Sequence, residues 1–309
     1  MSIMSYEEFK ERIKNEILDY LPEFAEEGEV RIGIVNKVNQ KLEALQIFPG
    51  GEKSNTISPN VYLEHVYDRY KKCSDMEETL EKTAEIIREG FKNVKNLGPA
   101  DFKMDPDSIV FMLMNRAKNE EYLRRIPHRD VLDLALVYRM IFSTGSNGLV
   151  SAVIGKAQME ELGLNEEELY NLALKNSKKI FPEKMRRVGE MLADMLNLGA
   201  ARPGLPGSDN FDEEMKMPLY VLSNSAGING ASAMLYEEVL EKCVSEIGDN
   251  VYILPSSIHE VLLLPEKSGN PEDLREIVKE VNASHVALNE ILSDEVYFYK
   301  KGSGKLQIA

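Results

Sequence analysis

The sequence predicts an α+β protein of mixed β-sheets with helices packed on them. Apolar stripes at helical spacing, such as Phe9, Ile13, Ile17 and Leu21, stand beside short apolar runs of strand length, such as Ile109 to Met114. With 43% hydrophobic and 29% charged residues over 309 positions, the chain has the composition of a globular protein that closes its core without disulfide or metal.

Ser5 followed by Glu8 reads as a capping box, and the stripe from Phe9 to Leu21 runs to Pro22, so the first element is an amphipathic helix. Val30, Ile32 and Ile34 alternate, a turn falls around Asn39 and Gln40, and Leu42 to Phe48 is extended again, which makes a hairpin. Ser58-Pro59 starts a helix carrying Tyr62, Val66 and Tyr70, and Asp75 caps another with Met76, Leu80, Ile87 and Phe91. This α-β-β-α-α module is expected over residues 1–98.

A middle α+β module is expected over 105–199, with strands at Ile109 to Met114, Leu132 to Phe142 and Leu149 to Ile154. Helices follow from the Asn165 cap and through Met185, Val188, Leu192 and Met195. Pro203-Gly204-Leu205-Pro206-Gly207 marks residues 200–210 as a linker. The C-terminal module, 217–309, has strands at Leu219 to Ser223, Val251 to Leu254 and Val261 to Leu264, and a closing hairpin at Val296 to Tyr299 and Leu306 to Ile308. Its helices carry Leu235, Val239, Cys243 and Ile247, and then Leu274, Ile277, Val278 and Val281 behind the Asn270-Pro271 start. The two later modules share a β-α-β-β-α order and an Asn-Gly step followed by Ser-Ala, the mark either of two divergent copies or of a chance match of short elements.

A net charge of −15 repels phosphate backbones and anionic lipid, so neither nucleic acid nor a membrane surface is the expected partner. Arg124, Arg125 and Arg129, and Lys184, Arg186 and Arg187, have acidic neighbours and read as solvated faces. No apolar run approaches the roughly 18 residues of a membrane span. The first residues lack the basic start and apolar stretch of a signal peptide. Cys73 and Cys243 lie far apart and outside any CxxC pattern, which suits a reducing compartment, so the expected location is the cytoplasm.

The residues able to carry chemistry complete no known pattern. His128-Arg129-Asp130 imitates a kinase catalytic loop, but Ala135 stands where the metal-binding Asn belongs. Gly155-Lys156 lacks the spacing and the hydroxyl of a phosphate loop, because Ala157 follows. His259-Glu260 lacks a second histidine one helical turn on, and His65, His128, His259 and His285 are scattered, so no metal and no cofactor are expected. The sharpest enzymatic reading is a hydrolase in which Ser256 or Ser257 is the nucleophile, His259 the base and an acid such as Asp130 the orienting group. The same Pro-Ser-Ser suits a tight strand connector, which demands less of the fold. Asn224, Asn229 and Gly230 serve equally as anion-facing backbone donors or as a turn and cap.

Three stretches carry a resemblance: Ile126-Pro127-His128-Arg129-Asp130-Val131-Leu132-Asp133-Leu134, Asn165-Glu166-Glu167-Glu168-Leu169-Tyr170, and Tyr252 to Val261. Through them the chain resembles an uncharacterised family of anaerobic Gram-positive bacteria, domain-of-unknown-function family 5688, over most of its length. A weaker similarity links it to another uncharacterised cytosolic bacterial family with a Pro-His-x-Asp-Val-Leu strand start. The resemblance implies a bacterial cytoplasmic setting and no activity, cofactor or catalytic residue.

The expected function is thus that of a binding or regulatory protein for a small molecule or protein partner, with the hydrolase as the alternative. His128, Arg129, Asp130, His259 and Glu260 are the candidate ligand-binding residues, since both Pro- and His-containing strand starts would meet on one face if the two modules are copies.

Overall fold

Ser5 Oγ accepts from the Glu8 backbone N–H at 3.3 Å while Glu8 accepts from the Ser5 N–H at 2.9 Å, so the expected capping box opens helix α1 (Tyr6–Glu16). Phe9, Ile13, Ile17 and Leu21 are fully buried along its stripe and its short 3-10 extension. The hairpin follows as β1 (Glu29–Lys37) and β2 (Gln40–Phe48), in unbroken antiparallel register from Glu29 opposite Phe48 to Lys37 opposite Gln40. Val38 and Asn39 form the two-residue loop, and Asn39 supplies its positive φ of 61°. The helix expected from Ser58 begins later. Ser58 Oγ first accepts from the Ile47 N–H at 2.9 Å, and β3 (Val61–Tyr62) pairs with β2, so the segment is bound to the sheet before α2 (Leu63–Cys73) starts. Asp75 accepts from the Glu78 N–H at 3.1 Å and opens α3 (Met76–Lys95), whose Leu80 and Ile87 share a core with Phe9, Ile13 and Leu45.

The structure, a computed structural model, describes residues 3–24, 26, 28–50, 58–95, 104–145, 148–195 and 218–309. The chain divides into two units, Met1–Lys103 and Met104–Ala309.

The second unit opens with β4 (Ile109–Asn115), buried at every position, and a short helix α4 (Glu120–Leu123). The one long strand expected from Leu132 to Phe142 is preceded by a separate short strand. β5 (His128–Val131) turns through Leu132 and Asp133 into β6 (Leu134–Gly145), and Leu132 adopts the positive φ of 57° that this two-residue loop imposes. β7 (Gly148–Val153) pairs with the far end of β6, giving the order β4-β6-β5 with β7 beside β6. Helices α5 (Lys156–Glu161) and α6 (Glu166–Ile180) follow, α6 behind the expected Asn165 cap.

The helix expected through Met185 begins as a strand instead. β8 (Glu183–Arg187) pairs with β9 (Tyr220–Asn224), and only Val188–Met195 is helical, as α7. The helix expected to carry Leu235 and Cys243 is split by Glu238 at φ 66° into a 3-10 turn, Gly230–Leu235, and α8 (Val239–Ile247). Cys243 is 3% exposed on α8, and both cysteines are free thiols. β10 (Val251–Leu254), β11 (Val261–Pro265), α9 (Pro271–Ser284), β12 (Tyr297–Tyr299) and β13 (Leu306–Ile308) complete a six-stranded sheet of order β13-β12-β10-β11-β9-β8. Of the α9 stripe, Leu274 and Val278 are buried, whereas Ile277 and Val281 are exposed.

Every ladder among the described residues is antiparallel, so the α+β fold has antiparallel rather than mixed sheets. The order β4-β6-β5 recurs as β9-β11-β10. The expected linker, 200–210, lies outside the described residues, and the segments on either side of it belong to one unit. They are joined by the β8–β9 ladder, by Tyr236 OH donating to the Phe181 carbonyl at 3.2 Å, and by Asp133, which accepts from Ser293 Oγ at 2.6 Å and Tyr297 OH at 2.8 Å.

Candidate functional site

Successive residues of a strand face opposite ways, and this divides the first candidate group. His128 and Asp130 line a cavity of about 460 Å³ with Arg116, Ala117, Glu120, Leu123 and Arg124. His128 Nδ1 lies 3.1 Å from the Ile126 carbonyl oxygen and Nε2 lies 3.8 Å from Asp130, which also receives Arg116 at 3.1 Å. Arg129 faces the other way. It forks onto Glu166 at 3.2 and 2.8 Å, reaches Glu167, and lies 3.9 Å over the Tyr170 ring. Burial pushes the Glu166 carboxyl up, but hydrogen bonds from Arg129 and Tyr138 outweigh it and leave the carboxyl below its usual range. Arg129 is therefore a structural clamp on the start of α6.

His259 lies in the connection between β10 and β11, whereas His128 begins β5, so the two occupy different places in the recurring strand order. His259 Nδ1 accepts from the Asn229 N–H at 3.2 Å, which puts the ring hydrogen on Nε2, 3.7 Å from Glu290. Ser257 Oγ accepts from the His259 backbone N–H at 3.0 Å, a turn contact rather than a nucleophile–base contact. Ser256 is held through its backbone N–H, which donates to the Leu254 carbonyl at 2.9 Å. Asp130 engages Arg116 and His128. The His128 cavity contains neither His259 nor Glu260, and the cavity lined by Glu260 contains none of His128, Arg129 and Asp130. The remaining histidines stand apart: His65 meets the Tyr62 ring edge-on at 5.9 Å, and His285 Nδ1 is 2.6 Å from Ser284 Oγ at the end of α9.

Glu260 belongs to a cleft of about 300 Å³ on one face of the six-stranded sheet. Lys184 is opposite Ser223 and Arg186 opposite Val221 in the β8–β9 ladder, while Val261 opposite Leu222 brings Glu260 beside Ser223. Lys184, Ser223 and Glu260 thus form a row across three strands. Met191 of α7 and the turn Asn224–Gly227 border the cleft. Asn224 organises that turn. Its side chain accepts from the Ala226 N–H at 3.0 Å and donates to the Ile228 carbonyl at 2.9 Å, and Gly227 takes a φ of 65°. Ser223 Oγ donates to the His259 carbonyl at 2.8 Å, and a Cβ on Gly230 would lie 2.1 Å from that hydroxyl, so only glycine lets the chain pass there.

Most of the charged side chains that line the larger cavities are paired. In the His128 cavity Arg116 is paired with Asp130, and Arg124 with Glu120 at 2.6 Å. A cavity of about 550 Å³ beside α8 contains Glu241, which already accepts from Tyr299 OH at 3.1 Å and the Gly302 N–H at 2.9 Å. The Lys184 and Glu260 side chains have no hydrogen-bond or ion-pair partner among the described residues. The sequence marks Glu260, whereas Lys184 and Arg186, with acidic neighbours, read there as a solvated face. Their i, i+2 spacing was the available signal, because it places both on one face of a strand.

Among the described residues no cluster of His, Cys, Asp and Glu could hold a metal ion, and no helix is long and apolar enough to cross a membrane. Fold and site together define an antiparallel α+β protein with a small polar cleft on the face of its six-stranded sheet. The chain belongs to a family of unknown function, DUF5688, whose model matches residues 6–301. No curated protein and no solved structure matches it.

Proposed function

We propose that the chain is a non-catalytic binding protein whose cleft over β8 and β9 takes a small polar molecule carrying both an anionic group and a cationic or donor group. The observation that carries this reading is the row Lys184, Ser223, Glu260, with charges of opposite sign at its ends and neither charge answered within the described residues. Cross-strand neighbours stand about 5 Å apart, so the two charged residues are roughly 10 Å apart at Cβ, a span that suits a zwitterion of amino-acid size. A lysine ammonium serves as a point charge for a carboxylate or phosphate, and the glutamate accepts from an ammonium or hydroxyl. The cleft's 300 Å³ stands at the lower end of small-molecule sites.

A bacterial, cytoplasmic setting belongs to the same reading, and the two free thiols support a reducing compartment. The net charge of −15 argues against nucleic acid or an anionic membrane as partner. The hydrolase alternative has no supporting contact among the described residues, since the His259 ring is engaged by Asn229 and Ser257 Oγ by a backbone N–H.

Thermal-shift measurements with a panel of free amino acids, dicarboxylates and inorganic phosphate test the proposal. A ligand at 100 times its Kd stabilises the native state by about 2.7 kcal/mol. Lys184→Met and Glu260→Gln are each expected to abolish the shift while leaving the unliganded melting temperature unchanged. The reading fails if no compound shifts the melt, or if both variants respond as the parent does.

A further inference from the structure

Sheets leave their edges open to other chains unless something blunts them, and most edges here are blunted. β13 is three residues long, β8 reads Glu-Lys-Met-Arg-Arg, and β4 is buried at every position. β1 is the longest edge strand among the described residues. It runs for nine residues without a bulge or proline at the outer side of its sheet, no described strand pairs beyond it, and Ile34 is 69% exposed. Lys37 and Gln40 close a two-residue hairpin as a hydrogen-bonded pair. The odd-numbered residues of β1 therefore bond to β2, while Val30, Ile32, Ile34 and Asn36 direct their N–H and C=O groups outward.

We infer that this edge pairs antiparallel with β1 of a second copy of the chain, about a two-fold axis at Gly33. This goes beyond the small-molecule reading and does not depend on it. In that register Glu29 stands opposite the partner's Lys37 at both ends, and Ile34 stands opposite the partner's Ile32. Val30 and Ile32 already pack against the core of the first unit, so the pairing extends the same apolar face over the exposed Ile34. Gly33 meets its own copy at the axis, where no side chain obstructs the approach. The neighbouring registers that keep the apolar faces aligned are worse. Centring on Ile34 sets Arg31 against the partner's Lys37, and centring on Ile32 carries Lys37 past Glu29, the first residue of the partner's β1. Every outward N–H and C=O from Val30 to Asn36 gains a partner in the Gly33 register.

Sedimentation of the full chain over a concentration series tests the inference, and a reversible dimer is expected. Ile34→Pro removes one outward N–H and leaves the ladder to β2 intact, so it is expected to give a monomer with an unchanged circular dichroism spectrum. Lys37→Glu sets like charges at both ends and is expected to raise the dimer dissociation constant about tenfold. Adding Glu29→Lys to it restores opposite charges and is expected to return the constant to near the parent value. A monomeric parent overturns the inference and leaves the edge to a strand of a different protein. A dimer that survives Ile34→Pro, or a charge swap that fails to restore, overturns it as well.

Discussion

At the scale of single residues, three buried phenols tie the second unit together and set its response to alkali. Tyr297 donates to Asp133, Tyr138 to Glu166, and Tyr236 to the Phe181 carbonyl, and burial pushes all three hydroxyls above the ordinary tyrosine range. A phenol whose folded pKa is raised contributes stability that is fully present below its unfolded value of about 10, and that stability is lost as pH rises above it. Ultraviolet titration is therefore expected to show exposed tyrosines ionising first, with a late step that coincides with loss of circular dichroism. Ionisation of every tyrosine near pH 10 with the fold intact would contradict the burial. Residue identity was legible in sequence for Cys243, which is buried as its helical face required. It was not legible for His128 and His259, because the side a strand residue faces and the bonds its ring makes depend on neighbours far along the chain.

Elements whose starts are encoded locally follow the sequence closely. Ser5 and Asn165 both form capping boxes, Asn165 accepting from the Glu168 N–H at 3.0 Å, because everything a cap needs lies within four residues. Asn165→Ala is expected to lower stability by about 1 kcal/mol in denaturant unfolding, and Asn165→Ser to restore most of it. No loss on Asn165→Ala would mean that Arg129, clamped onto Glu166 and Glu167, holds the start of α6 without the cap. β8 shows the reverse case. Lys184, Met185, Arg186 and Arg187 are all good helix formers, yet pairing with β9 draws them into a sheet edge. That edge in turn supplies Lys184 and Arg186 to the candidate cleft.

For the whole molecule, the β8–β9 ladder and the Asp133 contacts to Ser293 and Tyr297 make the segments before and after 200–210 interdependent. A fragment spanning 104–309 is expected to unfold in one cooperative transition when expressed alone, since it is a single unit with its own core. A fragment ending at residue 199 is expected to remain unfolded, because Asp133 and β8 would lose their partners. Cooperative melting of that shorter fragment would make the middle segment an independent domain after all.

By itself, the sequence determined the α+β class, the capped helices, the first hairpin and the buried cysteine, all of which follow from patterns spanning a few residues. It also marked Glu260. The tertiary structure alone decided that β8 is a strand, that His128 and Arg129 face opposite ways, and that Lys184 and Glu260 flank Ser223. The first and last of these depend on ladders between strands tens of residues apart, and the register of such a ladder is set by which face is buried rather than by local propensity.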